Sequence, residues 1–245
     1  EAAGHELLAP LTLPLHAEPY TYEEIGMTRT FSRSAGAVLH PARFPLDELE
    51  RLKREVSDAE FAAIYQQSPL ADGSPVFRPE YFNFCDTIPE GRYLVFQAWD
   101  TATSLDRKAA YSVCVTFFVT NDAVYIADVY RHRVTTVEIG DVAEALASRF
   151  KPKVVVVEKA NSGNAIEDRL AGRKDLKVHT WTPRDTKVAR ADRVVPFFRS
   201  TVQIPRDRSW VDEFVGELRN FPSGRHADQV DALSTGLGWY LDVLS

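Results

Sequence analysis

The chain has 245 residues, of which 44% are hydrophobic, and its formal net charge is −6. This length and hydrophobic content suit one large globular domain or a domain with an appendage, and no segment approaches the roughly 20 consecutive apolar residues that a membrane span requires. The negative charge argues against a protein that coats nucleic acid by bulk electrostatics, although a local basic strip can still grip phosphates.

The N-terminal sequence and the cysteines give no sign of export or of a thiol-based site. The N-terminus lacks the charged, apolar and small-residue order of a signal peptide, so cytoplasm is the default location. The two cysteines, Cys85 and Cys114, lie in unrelated contexts without a CxxC spacing. The sequence therefore predicts neither a disulfide framework nor a zinc site.

Residues 1–90 read differently from the rest of the chain. They are rich in proline and loops, and they contain one helix pattern, over residues 45–67, with Pro45 suited to its first turn. No alternation in this region is long enough to predict a sheet. We expect a loop-rich extension with one helix, acting as a linker or tail that follows a domain missing from these residues.

From residue 91 the pattern becomes regular. The elements expected in chain order are strands over 93–100, 111–119 and 123–134, a helix over 136–149, a strand ending at Glu158, a helix over 161–172, a short strand over 177–181, and helices near 186–200, 209–220 and 227–243. The first three strands suggest an antiparallel meander, with turns at 106–110 and 120–122. The order βββαβαβααα, with helices on a mixed sheet, predicts an α/β ribonuclease H-like domain over 91–245.

Two acidic residues directly follow apolar strands. Asp100 ends the run YLVFQAWD, and Glu158 ends the run KVVVVE. Asp100 on its own is equally consistent with an aspartate that caps a turn. Glu158 is harder to explain without a ligand, because an acid after four valines is costly to bury unpaired; a metal, solvent, or a cation such as Lys153 or Lys159 must accompany it.

A third acidic position lies in the late segment HADQVDAL. Asp228 and Asp231 are three apart, so they share one side of a helix, and Asp231 flanks the apolar stripe more closely. Asp231 is therefore the better ligand candidate, while Asp228 is also explained as an N-cap or first-turn acid favoured by the helix dipole. His226 is a candidate to orient a water or contact a phosphate, or a plain loop residue.

Carboxylates from separate elements are the residue type that a magnesium or manganese site needs. Only hard oxygen ligands hold Mg²⁺ well, and two such ions about 3.5–4 Å apart can clamp the attacking and leaving oxygens of a phosphoryl transfer. Asp100, Glu158 and Asp231, with Asp228, are thus the expected metal ligands and catalytic residues.

Basic residues recur every three positions in the segment near residue 190. Arg184, Lys187, Arg190 and Arg193 would form a spiralling ridge able to follow a phosphate backbone, or a plain solvated helix face. Arg131 and Arg133, on a predicted hairpin, form a second candidate DNA contact.

These segments resemble the nuclease half of the large terminase subunit of tailed bacteriophages and prophages. WDTATSLDRKAAYSV looks like the family's first strand with its catalytic aspartate, VVVVEKANSGNAIEDRL like its acidic strand and following helix, and HADQVDALSTGL like its closing motif. Ala227 stands where many relatives have another aspartate. AAIYQQSPL looks like the stretch that joins the family's ATPase to its nuclease, and no GxxxxGK[ST] loop occurs in the chain.

The resemblance implies a metal-dependent endonuclease that cuts concatemeric double-stranded viral DNA during packaging in the host cytoplasm. In this interpretation Asp100 bridges two Mg²⁺ or Mn²⁺ ions, Glu158 holds one, and Asp231 holds the other with help from Asp228. The implied partners are double-stranded DNA, the portal protein, the small terminase subunit and an ATPase domain of the same polypeptide, with no membrane. Rival readings are a junction resolvase, transposase or ribonuclease H, or a non-catalytic module that docks DNA or the portal.

Overall fold

The computed structural model describes residues 22–24, 27–29, 38, 41–42, 45–56, 58–65, 74–101, 111–158, 161–182 and 185–244. The chain divides into two compact units, residues 1–72 and residues 73–245. Among the described residues, each unit contains its own sheet, of two strands in the first and seven in the second.

The first unit contains short elements. Strands β1 (Tyr22–Glu24) and β2 (Met27–Arg29) pair antiparallel. The single helix expected over residues 45–67 is wrong: α1 (Leu46–Glu55) ends at Val56, whose backbone is extended, and α2 (Asp58–Glu60) follows and runs into a π-helical turn over 61–65. The break has a local cause, since β-branched Val56 precedes a Ser-Asp pair that favours the start of a new helix.

The second unit is an α/β layer structure. Its strands are β3 (Asn83–Cys85), β4 (Leu94–Asp100), β5 (Ser112–Val119), β6 (Val124–His132), β7 (Val154–Glu158), β8 (Lys177–Trp181) and β9 (Val202–Pro205). Its α-helices are α3 (Thr136–Phe150), α4 (Asn161–Leu170), α5 (Lys187–Thr201), α6 (Val211–Asn220) and α7 (Asp228–Leu244), with a 3₁₀ turn over 79–81. The sheet order is β3-β9-β6-β5-β4-β7-β8.

The pairing confirms the expected mixed sheet. β4, β5 and β6 form the antiparallel meander, and β7 and β8 extend it in parallel on the β4 side. Thr120 closes the predicted β5–β6 turn through hydrogen bonds with Ala123. The other predicted turn, at 106–110, lies outside the described residues.

Two strands of the second unit, β9 and β3, were not expected from the sequence. β9 follows α5 without a turn residue and pairs parallel with the start of β6, and β3 pairs with β9 at the sheet edge. Both are short, with three and four residues, so pairing with distant segments rather than a local pattern makes them strands. The sheet of this unit therefore includes a strand at residues 83–85.

Helices cover both faces of the sheet. Val156 of β7 belongs to the core that includes α5, α6 and α7, whereas Val155 and Val157 belong to the core that includes α3 and α4. The run of valines is therefore a strand buried on both sides, as the sequence predicted. Within the described residues, no helix is both long and apolar enough to cross a membrane.

Helix α7 packs very closely on the sheet at Gly236. A Cβ placed there would lie 2.6 Å from Cε2 of Phe117 and 2.8 Å from Cβ of Ala98. Ala98 lies two residues before Asp100 on β4. The missing side chain thus lets the helix that carries Asp231 approach the strand that carries Asp100.

We expect Gly236→Ala to lower the free energy of unfolding by about 1–3 kcal/mol, because the added methyl group overpacks this contact. Gly238→Ala is the matched control in the same helix, since its Cβ would meet nothing within 4 Å and alanine favours a helix by up to ~1 kcal/mol over glycine. Urea denaturation measures both; equal stabilities for the two variants would contradict the close contact.

Candidate active site

Asp100 and Glu158 lie side by side at one edge of the sheet. β4 and β7 run parallel with Trp99 opposite Val157, so the next residue of each strand is the acid. Both strands are anchored by buried residues up to that point, whereas Asp100 and Glu158 are only partly buried. The sheet therefore presents both carboxylates at its carboxyl edge.

Helix α7 brings two more carboxylates to this edge. Asp228 is its first residue, and Asp231, one turn later, is 2% exposed. Of the predicted apolar stripe, Val230, Leu233 and Leu237 are buried and Leu241 is partly buried, but the helix is buried on all sides over residues 229–239. The structure thus brings together all four acids expected as metal ligands.

The surroundings of Asp100 oppose its ionisation. Burial raises the pKa of its carboxyl group to about 8, and the negative charges of Asp231, Glu158 and Asp228 push in the same direction. The charge of Lys187 offsets this only in part. In the absence of a bound cation, Asp100 is therefore expected to keep its proton below that pH.

Two cations of α5 neutralise Asp231. Lys187 donates from Nζ to Oδ2, and Arg190 donates from Nη2 to Oδ1 at 2.6 Å. Arg190 also lies 3.8 Å from Glu158, and its side chain is only 11% exposed. Burial lowers the pKa of Lys187, but the hydrogen bond that Lys187 donates to Asp231 and the negative charge of Asp231 outweigh that effect, and the net direction is upward.

The four acidic side chains are of the chemical type that binds a divalent cation. The four carboxylates supply hard oxygens, and Oδ2 of Asp228 is buried without a hydrogen-bond partner among the described residues. In this conformation no group of three His, Cys, Asp or Glu side chains in the described part of the chain is arranged to hold an ion. Asp231 directs both oxygens to Lys187 and Arg190, so a cation that bound these oxygens would compete with the two ion pairs.

The basic residues predicted to contact DNA occupy different settings. Lys187 and Arg190 face the acids, and Arg193 pairs with Asp242. Arg184 lies outside the described residues. The basic ridge expected on α5 is therefore engaged in ion pairs along its described length.

The second basic pair surrounds Tyr111. The guanidinium carbon of Arg131 lies 3.5 Å from the centre of the Tyr111 ring and that of Arg133 lies 4.4 Å from it. Arg131 is largely buried against two glutamates of α6, whereas Arg133 is exposed. His226 packs edge-on against the same ring, with Nδ1 3.8 Å from Asp228. Arg133 is thus the member of this pair that is free to face solvent.

One contact near the acids had no signal in the sequence. Glu217 of α6 accepts hydrogen bonds from the backbone nitrogen and the side chain of Gln229, at 2.6 and 2.7 Å. Gln229 lies in the HADQVDAL segment, but its partner is on another helix, so local pattern could not find it. This contact ties the start of α7 to α6.

The central part of the chain identifies the family to which it belongs. Residues 97–237 match the family described as the terminase RNase H-like domain. The chain belongs to that family. The match spans every acid of the cluster, and it confirms both the predicted ribonuclease H-like fold and the resemblance to the nuclease domain of a large terminase subunit.

Solved terminase structures share the fold of this family member. The large terminase from the thermophilic bacteriophage D6E is 15% identical with a TM-score of 0.59, and the match covers 80% of this chain and 52% of that one. The same terminase in complex with ADP gives 14% identity, a TM-score of 0.60 and the same coverage. The large terminase nuclease from thermophilic phage G20c with bound magnesium is 18% identical with a TM-score of 0.49, covering 69% of this chain and 98% of that one.

The chain thus spans 52% of the length of the D6E terminase chain. No curated protein sequence matches it.

We expect metal-free protein to lose stability as pH rises, because the folded state keeps the Asp100 proton to pH about 8 while the unfolded state releases it near 3.8. The stabilisation by the Asp100 proton is fully present below pH 3.8 and is lost as the pH rises through about 8. Asp100→Asn should remove this dependence and raise the melting temperature in EDTA at pH 9. Thermal melts of both proteins from pH 5 to 9 test this; parallel curves would show that Asp100 titrates normally.

Proposed function

We propose that this chain is a divalent-cation-dependent endonuclease that cuts concatemeric double-stranded DNA during viral genome packaging, as the nuclease part of a terminase large subunit. The observation that carries the proposal is the convergence of Asp100, Glu158, Asp228 and Asp231 at one edge of the sheet, within a terminase family domain. Family membership favours this reading over a junction resolvase, a transposase or a ribonuclease H.

The acids have distinct expected roles. Asp100, Glu158 and Asp231 would hold a pair of Mg²⁺ or Mn²⁺ ions, and Asp228 would assist. Bound divalent ions at such a site supply Lewis-acid activation of water and neutralise charge at the phosphate. Once Asp231 is engaged, Lys187 and Arg190 are released from it and can bind the DNA backbone beside the cluster.

The wider setting follows from the resemblance to terminases. We expect the domain to act with an ATPase domain of the same polypeptide, with the portal protein and with the small terminase subunit, in the host cytoplasm.

A non-catalytic docking module is the second candidate. The observation that favours it is the pairing of Asp231 with Lys187 and Arg190, because structural ion pairs need no metal. Asp100 argues against it, since burying a carboxylate among three others has no structural benefit. Calorimetric titration with Mn²⁺ separates the two: a docking module binds none.

Asp100→Ala and Asp231→Ala should each abolish linearisation of supercoiled plasmid in Mn²⁺ or Mg²⁺, as should EDTA in the wild type, because each removes a ligand for the ions that activate water. Asp122→Asn is the control, since Asp122 lies in the exposed turn at the far end of β5 and should leave cleavage unchanged. Full cleavage by either cluster variant would rule out this assignment; absence of cleavage by folded wild type would favour docking or a requirement for the ATPase domain.

Arg133→Ala should weaken DNA binding and reduce the slope of log affinity against log salt by about 0.9, the value for one lost phosphate contact. Arg206→Ala is the matched control, because Arg206 also stacks on an aromatic ring, Phe84, but it directly follows β9, which pairs with the start of β6. Fluorescence anisotropy over a salt series measures both. Identical slopes for wild type and Arg133→Ala would remove Arg133 from the DNA surface.

A further inference from the structure

A buried carboxylate lies beneath the start of α7 and outside the acidic cluster. The side chain of Glu217 is 6% exposed. One of its oxygens accepts from the backbone N–H of Gln229 at 2.6 Å, and the other accepts from the Gln229 side-chain amide at 2.7 Å. Glu217 thereby satisfies a backbone donor in the first turn of α7, where no donor has a partner within the helix.

Glu217 lies beside Arg131, which in turn stacks on an aromatic ring. Nε of Arg131 lies 3.6 Å from Glu217, and the Arg131 guanidinium stacks on Tyr111. Arg131 also pairs with Glu213 at the surface of α6. The network therefore joins strand β6, helix α6 and the first turn of α7 through buried or half-buried groups.

The position of Gln229 gives this network a consequence for the site. Gln229 lies between Asp228 and Asp231 and is 1% exposed. A shift of the first turn of α7 moves both acids, whereas Asp100 and Glu158 are fixed by the sheet. The relative placement of the two halves of the cluster thus depends on the contact between Glu217 and Gln229.

We propose that Glu217 is a positioning residue, which fixes the first turn of α7 so that Asp228 and Asp231 can bind divalent cations together with Asp100 and Glu158. This inference rests on the proposed function, since it concerns the same site. Glu217 touches neither DNA nor the reacting atoms in this role; it acts through Gln229. Groups that orient metal ligands typically contribute a factor of about 10–100 to metal affinity.

The test compares Glu217→Gln with Glu213→Gln. An amide offers one acceptor oxygen where the carboxylate offers two, so Glu217→Gln cannot hold both donors of Gln229 in the same way. Glu213→Gln is the matched control: it removes charge from the other glutamate that pairs with Arg131 and leaves the Gln229 contact in place. Calorimetric titration with Mn²⁺, without DNA, gives the Kd of each folded protein.

We expect Glu217→Gln to raise the Kd for Mn²⁺ roughly tenfold and to lower kcat for plasmid cleavage with KM for DNA unchanged. Glu213→Gln should match the wild type. Gln229→Ala should reproduce part of the loss, and the double variant Glu217→Gln with Gln229→Ala should be no worse than Glu217→Gln alone, because both act through one contact. If Glu217→Gln does not fold, Gln229→Ala carries the comparison.

A purely structural role has a different signature. Glu217→Gln would then lower the melting temperature in EDTA while the Mn²⁺ Kd of the folded protein stayed at the wild-type value, and the proposal would be overturned with the nuclease assignment intact. If the wild type bound no Mn²⁺, the metal-dependent function would fail and this assignment would fall with it.

Discussion

The arrangement of side chains at the carboxyl edge of the sheet depends on one constraint, the repulsion among poorly solvated carboxylates. Asp100 lies where burial and three neighbouring acids all oppose its ionisation. Such a cluster persists in a folded protein only if cations or protons balance it. Lys187 and Arg190 supply that balance for Asp231, and Arg190, nearly buried, also reaches toward Glu158. The same negative charge that α5 compensates is what would draw divalent ions into the site.

Helix α7 is the element through which this balance is set. Its middle lies against the sheet at Gly236, where no side chain separates it from Ala98 and Phe117. Its start is tied to α6 by Glu217 and Gln229. Two separate constraints therefore act on one helix, the first on its distance from β4 and the second on the placement of its first turn. Together they hold Asp231, which is only 2% exposed, in place one turn after the start of α7.

The basic residues of α5 link charge balance to the proposed interaction with DNA. Their spacing of three places them along one side of the helix, as expected for a ridge that follows phosphates. The fold turns Lys187 and Arg190 toward the acids instead, and Arg193 toward Asp242. A cation that bound Asp231 would release Lys187 and Arg190, and a phosphate that bound Lys187 and Arg190 would release Asp231. On the proposed function, cation binding and DNA binding would therefore favour each other through α5.

The sequence by itself determined the meander, the buried valine strand, the helices of the second unit and the four acids, because each follows from a local pattern. The strands are apolar runs, the helices carry apolar stripes, and the acids lie next to these segments. It also determined the family, through segments that the terminase match covers. Tertiary structure decided the short strands β3 and β9 and the direction of Lys187 and Arg190 toward the acids. Arg190 and Asp231 are 41 residues apart, and Glu217 and Gln229 belong to different helices. Such contacts depend on how helices dock on the sheet, a property that no local pattern of residues contains.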